Sequence, residues 1–175
     1  MKAGKPLVTN RYAAPWGISV KLVTLFISVV LFGIPLAAIA MVHVSGLGLL
    51  IVVVPLSIWV FTLPFMVLGY ELTADELRIR RFGWKSVFPL NSLRSAQYNP
   101  NAMARSLRTF GNGGLFSVCG HFKNRELGHY RAFVTDPKNA VVLRFGEKTV
   151  VVSPERPEAF VAALDDRVAP KEEIK

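Results

Sequence analysis

Two long apolar runs near the start of the chain constrain its fold more than any other feature. The first extends from Leu22 to His43 and the second from Leu47 to Leu68, and neither contains Asp, Glu, Lys or Arg. Each is about 22 residues long, and a helix of that length is long enough to cross the roughly 30 Å hydrocarbon core of a bilayer. Only Val44-Ser45-Gly46 separates the runs, so the chain must turn back between them. The sequence therefore predicts a helical hairpin in a membrane, with both chain ends on one side.

The basic residues indicate which side the open end of the hairpin faces. Of the 21 Lys and Arg residues, four precede the hairpin and the rest follow it, while the connector carries no formal charge. By the positive-inside rule, this distribution places the open end and both termini in the cytoplasm. We therefore predict a multi-pass protein of the inner (cytoplasmic) membrane, with the lipid bilayer as its first partner.

Two alternatives bear on this prediction. The formal net charge of +9 raises the possibility of nucleic-acid binding. Basic residues beside anionic lipid account for the same charge, so we predict no nucleic-acid partner. A signal peptide is the alternative to the first helix, because Ala38-Ile39-Ala40 resembles a cleavage site. The apolar run continues past those alanines and a second run follows at once, which favours the hairpin.

Both predicted helices contain proline. Pro35 and Pro55 lie equally far from Ser45 in the sequence, so they should kink the two helices at similar depth. The kinks suit either a gated hairpin or ordinary packing against the neighbouring helix. Candidates for hydrogen bonds between the helices are Ser28, Ser57 and Thr62.

The chain divides into four segments. Residues 1–21 form a basic cytoplasmic tail that we expect to be poorly ordered. Residues 22–68 form the hairpin, with helices at 22–43 and 47–68. Residues 69–165 form one domain outside the membrane, and residues 166–175 form a charged tail. The lone Cys119 excludes an internal disulfide.

The domain after the hairpin has the pattern of short strands followed by one helix. Residues 77–80 alternate between apolar and basic side chains, as a strand with one buried face does. Ser153-Pro154 predicts the start of a short C-terminal helix, because serine caps a helix and proline suits its first position. Further β-branched and apolar strands are predicted at 130–135, 141–145 and 150–152.

Glycine, aromatic and turn residues in this domain carry a resemblance to a known family. The segment from Tyr70 to Ile79 is similar to a first hairpin, and Pro89-Leu90-Asn91-Ser92-Leu93 to a polar turn after a third strand. The pattern continues through Arg108-Thr109-Phe110-Gly111, Gly114, Phe116, Gly120, Phe122, Leu127-Gly128, Tyr130, Val134-Thr135-Asp136, Asn139, Ser153-Pro154 and Phe160. Together, over residues 69–165, it resembles the bacterial pleckstrin-homology-like (PH-like) domains of small membrane proteins.

The resemblance implies a bent antiparallel β-sandwich or barrel with a C-terminal helix. The predicted fold class is therefore α+β, mainly β: a two-helix transmembrane hairpin followed by a PH-like domain. The resemblance carries over no catalytic residues and no cofactor. Because one fold supports many functions, it implies less about activity than about architecture.

Basic residues are the candidate ligand contacts. In lipid-binding PH domains, basic residues of the first strands and their loop hold an inositol phosphate. The corresponding candidates here are Arg78, Arg80, Arg81, Lys85 and Arg108. For an anionic lipid headgroup or a small phosphorylated ligand, a concavity lined by Arg78, Arg80, Lys85 or Arg108 is expected. The alternative is a solvated strand face with ordinary lipid electrostatics.

Other candidate chemistry has weaker support. The glycine-rich segment from Arg108 to Gly114 permits a phosphate cradle, but it lacks the Gly-Lys-Ser/Thr ending of a P-loop, which favours tight turns. Cys119 and His121 alternate onto one strand face, with His129 further along the chain. No fourth ligand stands at a zinc spacing, so we predict no metal. The same three residues offer only thin support for an enzyme.

The predicted function is a non-enzymatic, membrane-anchored interaction or scaffold domain, as part of an envelope complex. Its partner would be a membrane or envelope protein or a second copy of the chain. The docking surface would be an exposed sheet edge or the loop from Asn99 to Gly114. Binding of anionic lipid or of a small phosphorylated ligand is the alternative, and an enzyme is the least favoured class.

Overall fold

Two apolar helical segments lie where the long apolar runs predict them. The structure, a computed structural model, describes residues 8–41 and 48–165; the predicted connector at 44–46 and the charged tail at 166–175 lie outside those ranges. The first segment consists of α1 (Ile18–Ser28), a π-helical turn (Val29–Gly33) and α2 (Ile34–Met41). The second consists of α3 (Gly48–Thr62) and a 3₁₀ turn (Leu63–Phe65).

The two segments differ in length. Within the described ranges, one helix is long and apolar enough to cross a membrane, Ile18–Ala37, and only 11% of its most apolar window is buried. The second apolar helix, Leu49–Phe65, is shorter. The predicted span at 47–68 is corrected at its end, because Val67 and Leu68 already belong to a strand. The length and composition of the first helix support an association with a membrane.

The two predicted prolines have different consequences. The π-helical turn ends two residues before Pro35, whose missing N–H disturbs the regular ladder, whereas Pro55 lies inside α3. Trp59 Nε1 donates a hydrogen bond to Ser28 Oγ at 3.3 Å and so joins the two segments. The other two candidate hydroxyls bond to carbonyls within α3. One of the three predicted hydroxyls therefore joins the helices.

A strand precedes the helices, which the sequence did not predict. Residues 8–13 of the expected poorly ordered tail form β1 (Val8–Ala13), which pairs antiparallel with β2 (Val67–Thr73). Tyr12 is buried, and its ring meets Phe160 edge-on with 4.9 Å between centroids. Burial of this aromatic ring and pairing with β2 favour an ordered strand over a free tail. The helices are therefore an insertion between two neighbouring strands.

The strands build two sheets. The first has the order β1-β2-β3-β4 and the second the order β5-β9-β10-β8-β7-β6. Every pairing is antiparallel except that of β10 with β8. The remaining elements are β3 (Glu76–Arg81), β4 (Lys85–Pro89), β5 (Leu93–Tyr98), β6 (Leu107–Gly113), β7 (Val118–Asn124), β8 (Gly128–Val134), β9 (Val141–Phe145), β10 (Lys148–Val152) and α4 (Pro157–Asp165). This architecture confirms the predicted α+β fold.

The main core contains apolar side chains from both sheets and α4. Leu72 and Ile79 of the first sheet and Phe133 of the second are fully buried, and α4 adds Phe160 and Leu164. Burial of such side chains drives the two sheets together. A smaller cluster includes Ala102, Phe122, Tyr130 and Val142. Most of its side chains come from the strand positions of the second sheet that alternate with those of the main core.

A buried hydrogen-bonded group links the two sheets. Tyr70 Oη donates to the Phe133 carbonyl at 2.7 Å and accepts from the Ser153 N–H at 2.9 Å, while Ser153 Oγ accepts from the Thr135 N–H at 2.8 Å. Burial raises the pKa of Tyr70, so its hydroxyl remains a donor. Ser153, predicted to cap the last helix, is used here instead, and that helix begins at Pro157.

Candidate functional site

Both helical segments join the sandwich at one end, called here the helix-proximal end. The first sheet meets them there, because β1 ends at Ala13 before α1 and β2 begins at Val67 after the 3₁₀ turn. Gly17 N–H donates to the Thr135 carbonyl at 2.9 Å. A Cβ on Gly17 would lie 2.5 Å from the Asp136 carboxylate, so the joint leaves no room for a side chain. The start of α1 is therefore packed against the second sheet.

The loop between β6 and β7 packs against both helical segments. Thr24 Oγ1 of α1 donates to the Gly114 carbonyl at 3.4 Å and accepts from the Phe116 N–H at 2.9 Å. The Phe116 ring meets Trp59 of α3 with 4.8 Å between centroids. Ser117 Oγ donates to the last carbonyl of the 3₁₀ turn at 2.6 Å. The end of the glycine-rich segment therefore contacts the helices.

Two glycines shape the strands that lead to this loop. Gly111 and Gly120 are paired across β6 and β7. Their φ angles are 110° and 150°, and a Cβ on either would fall onto the backbone of the opposite strand. Only glycine permits this approach. The sequence pattern had predicted glycines that allow tight local geometry, and these two do so within a strand pair.

Three basic side chains share one buried carboxylate on the first sheet. The Glu71 side chain is only 4% exposed and accepts a hydrogen bond from Lys85 Nζ at 3.0 Å. Arg80 Nε lies 3.7 Å and Arg11 Nε 3.6 Å from the other carboxylate oxygen. The structure thus brings together two of the predicted contact residues, Arg80 and Lys85, and adds Arg11 from the unpredicted strand.

The charges around Glu71 decide its ionisation. Burial by itself would raise the pKa of this carboxyl. The hydrogen bond from Lys85 and the charges of Lys85, Arg80 and Arg11 outweigh burial, so the pKa of Glu71 lies below its ordinary value of 4.5. One negative charge among three positive ones leaves this part of the helix-proximal end with a positive excess.

Two further predicted contacts lie apart from this cluster. Arg78 Nε donates to Glu76 Oε2 at 2.9 Å. Arg108 lies across Gly113 of β6, where a Cβ would come within 2.5 Å of its guanidinium. The five predicted residues therefore do not converge on one concavity in the described part of the chain.

Arg81 has different surroundings from the other four candidates. Its guanidinium carbon lies 4.8 Å from the centroid of Trp84, 5.6 Å from Phe133 and 5.7 Å from Phe65. Its Nε is buried and has no hydrogen-bond acceptor among the described residues. The Arg131 guanidinium carbon lies 5.1 Å from the same Phe133 ring, and its positive charge acts on Arg81.

Electrostatics reinforce this description of Arg81. Burial is the main cause that lowers the pKa of Arg81, and the charge of Arg131 lowers it as well, while Cys119 acts in the opposite direction. Burial raises the pKa of Cys119, although both arginines pull it down. The thiol is buried and therefore suits packing better than nucleophilic chemistry.

A groove of about 790 Å³ separates β4 from the second sheet. His121, His129, Arg131 and Lys148 line it together with apolar side chains such as Phe88. The predicted contacts Arg78, Arg80, Lys85 and Arg108 are not among its lining residues. Within residues 8–41 and 48–165, no three His, Cys, Asp or Glu side chains are grouped closely enough to hold a metal ion.

The sequence identified Arg81 as a candidate ligand contact but did not identify the aromatic rings that surround it. Trp84 stands three positions later, beside the turn at Gly83, and that spacing was the available local signal. Phe65 belonged to a predicted membrane helix and Phe133 to a predicted strand. Only the pairing of β3 with β2 and the packing of the two sheets bring these rings to one guanidinium.

Comparison with known proteins accords with this fold. No curated protein and no solved structure matches the chain. The family model described as the bacterial PH domain matches residues 68–168, which is more than half of the chain. The match covers β2 from its second residue, β3 to β10 and α4, and it confirms the resemblance that the glycine and aromatic pattern indicated. The chain therefore belongs to the bacterial PH domain family.

Proposed function

We propose that this chain is a non-enzymatic, membrane-anchored interaction module. Its two helical segments would form a hairpin at the inner membrane and hold the PH-like domain on the cytoplasmic side. There the domain would dock a protein partner as part of an envelope complex. PH domains are typically non-enzymatic binding modules, which supports the choice of interaction over catalysis.

The exposed apolar surface of the helices carries the proposal. Leu25, Phe26 and Phe61 are 62%, 69% and 76% exposed, and most large apolar side chains of both segments are exposed with them. A soluble monomer rarely leaves so much contiguous apolar surface in water. A bilayer would cover this apolar surface. A helix that belonged to the core of a soluble protein would have its apolar side chains buried instead.

Charge supports the proposed orientation. Arg11, Lys21, Arg80 and Lys85 are exposed at or near the helix-proximal end, and no acidic residue precedes Glu71. Basic residues that flank membrane segments favour the cytoplasmic side and attract anionic lipid. We accordingly propose an anchor at about 18–65 and a PH-like domain that combines β1 (Val8–Ala13) with residues from about 67 to 165.

The proposed docking surface is the edge strand β6. It lies at the end of the second sheet, so no other strand of the described residues pairs with the backbone groups along its outer side. Leu107 and Phe110 are 74% and 70% exposed on it. An open edge with apolar side chains suits an extended segment of a partner protein, added as a further strand. Anchoring in one membrane would raise the local concentration of such a partner.

Topology and membrane binding together test the proposal. We expect the full chain to float with lipid vesicles through a density gradient and to resist extraction at alkaline pH. Reporters active only in the cytoplasm should be active when fused at Lys175 and inactive at Ser45. A chain that remains with soluble protein, or a C-terminal reporter outside the cytoplasm, would contradict the proposal.

A further inference from the structure

A register shift in β6 places its two exposed apolar side chains on one face of the second sheet. Leu107 pairs with Lys123 of β7 and Phe110 pairs with His121, and the register shifts between these two pairs. Thr109 has no paired residue there, and its Oγ1 donates to the His121 carbonyl at 3.1 Å. Directly paired side chains lie on the same face, so both apolar side chains share the face of Lys123 and His121. In a regular strand, residues three positions apart would point to opposite faces.

The same face continues onto β8 with basic side chains. Lys123 pairs with His129, and His121 pairs with Arg131. All four of these residues are exposed. Among residues 8–41 and 48–165, no carboxylate forms an ion pair with any of them. Together with the two apolar residues of β6 they form a surface called here the open face: Leu107, Phe110, His121, Lys123, His129 and Arg131.

The open face lies away from the helices, beyond the part of the second sheet that the first sheet covers. Nearer the helices, Cys119 of β7 and Phe133 of β8 are buried in the main core. The loop at 114–117 contacts both helical segments and leads into β7. Lys123 is the sixth residue of β7, so it lies about 16 Å along the strand from that contact. If the helices are anchored as proposed above, this surface faces the cytoplasm and not the lipid headgroups.

Charge complementarity gives the occupant of the open face its chemical class. Lys123 and Arg131 supply two cations, the two histidines add polar ring nitrogens, and carboxylates of a partner would complement them. The open edge of β6 suits an extended peptide backbone. A nucleic acid is also anionic, but it cannot pair with a strand edge. Its bases stack on aromatic rings, and Phe110 supplies the one ring of this surface. An acidic peptide therefore fits better than a nucleic acid.

We propose that the open face and the edge of β6 bind an acidic, extended segment of a protein partner. The segment would add to β6 as a strand, with apolar side chains against Leu107 and Phe110 and with carboxylates that reach toward Lys123 and His121. A strand beside β6 lies about 10 Å from β7, a distance that a glutamate and a lysine side chain span together. This inference rests on the proposed function, because it names the chemistry of the partner that β6 would dock.

The sequence of the docked segment tests the proposal. A photo-crosslinking residue at Phe110 of the full chain would be activated in membranes of the native cell, and mass spectrometry would identify the peptide that it captures. We expect a protein segment with a net negative charge over the seven residues nearest the crosslink, the length of β6. A neutral or basic segment would overturn the proposal.

Binding of that segment as a synthetic peptide tests the role of the open face. The peptide would be titrated onto the full chain in detergent. Lys123→Glu should weaken binding by about tenfold, because it reverses the charge that faces the carboxylates. Lys138→Glu is the matched control, since Lys138 is exposed in the 3₁₀ turn Pro137–Asn139, off the open face, and its variant should bind like the parent. Raising the salt from about 0.1 M to about 1 M should also weaken binding, because it screens these charges.

A reversed peptide shows that the Lys123→Glu variant is folded and that charge is the cause. Replacing the acidic residues of the peptide by lysine should abolish binding to the parent and restore part of the binding to Lys123→Glu. Absence of this reversal, with Lys123→Glu binding the acidic peptide as tightly as the parent does, would overturn the role of the open face.

The outcomes separate this inference from the proposed function. A neutral or basic segment at Phe110 would overturn the acidic partner and leave docking at β6 standing. A Phe110 product that contains nucleic acid or phospholipid instead of protein would overturn the peptide assignment. Absence of any Phe110 product in native membranes would overturn docking at β6 itself.

Discussion

Glu71 shows how one buried carboxylate organises the basic face of the first sheet. It lies on β2, and its three partners come from β1, β3 and β4, so a single acid joins every strand of that sheet. A carboxylate this well buried would be costly if it were unpaired. Its partners are partly exposed and remain solvated, which makes the arrangement stabilising only while Glu71 is ionised.

We predict that Glu71→Gln destabilises the folded chain by about 2 kcal/mol at neutral pH, because three cations lose their shared anion. The pKa of Glu71 is lowered on folding, so its contribution is fully present above the ordinary value of 4.5 and is lost as the pH falls through the lowered value. Denaturant unfolding of the full chain in detergent, measured between pH 3 and 7 (a range of roughly 4 units around that ordinary pKa), should show a weaker pH dependence in the variant.

Glu147→Gln is the matched control for this measurement. Glu147 is exposed in the turn between β9 and β10 and forms no ion pair with a described residue. Its variant should retain both the stability and the pH dependence of the parent. Equal behaviour of the two variants would mean that the Glu71 cluster contributes nothing measurable.

The edge strand β6 is the element most suited to interaction. Most residues of β6 are exposed, unlike those of β7 or β8 in the same sheet. The close pairing of Gly111 with Gly120 and the contact of the following loop with Thr24 hold its far end in place. The strand is therefore a firmly placed open edge, and an added strand would need little rearrangement.

We predict that a photo-crosslinking residue at Phe110 captures a protein partner in membranes of the native cell. The same residue at Glu147, in the exposed turn between β9 and β10, should give no such product. Phe110→Lys should reduce capture at a neighbouring Leu107 probe by about tenfold or more, since a charge opposes both burial and strand pairing. A product that contains only a second copy of the chain would identify self-association. Equal yields at Phe110 and Glu147 would reject β6 as the docking edge.

At the scale of the whole molecule, the helices interrupt the PH-like domain instead of merely preceding it. The family match begins at residue 68, yet β1 lies before both helices and completes the first sheet. Tyr12 of β1 packs against Phe160 of α4, so the first strand and the last helix of the described residues are in contact. The orientation of the domain is thus coupled to the two helical segments through two strands and the loop at 114–117.

We predict that a fragment of residues 66–168 is less stable than one in which residues 8–17 are joined to residue 66 by a short Gly-Ser linker. Both fragments lack the helices, so the difference reports β1 alone. Loss of the buried Tyr12 ring and of the pairing with β2 should cost about 3 kcal/mol or cause aggregation. Urea unfolding and light scattering would measure it. Fragments of equal stability would show that β1 is dispensable.

The local parts of this structure were predictable from the sequence. The two apolar helices followed from runs without charge, and the strands at 77–80 and 141–145 followed from alternation and turn residues. Such signals depend on neighbours within one element. The glycine and aromatic pattern likewise identified the bacterial PH domain before any contact was known.

By itself, then, the sequence determined the apolar helices, the mainly-β domain and its family, because these depend on periodicity and composition along the chain. Only the tertiary structure decided that residues 8–13 form a strand, that Arg80 and Lys85 share Glu71, and that Arg81 contacts three rings. Those features join residues that are far apart in the chain. Their energy comes from burial and pairing, which exist only once the two sheets have packed.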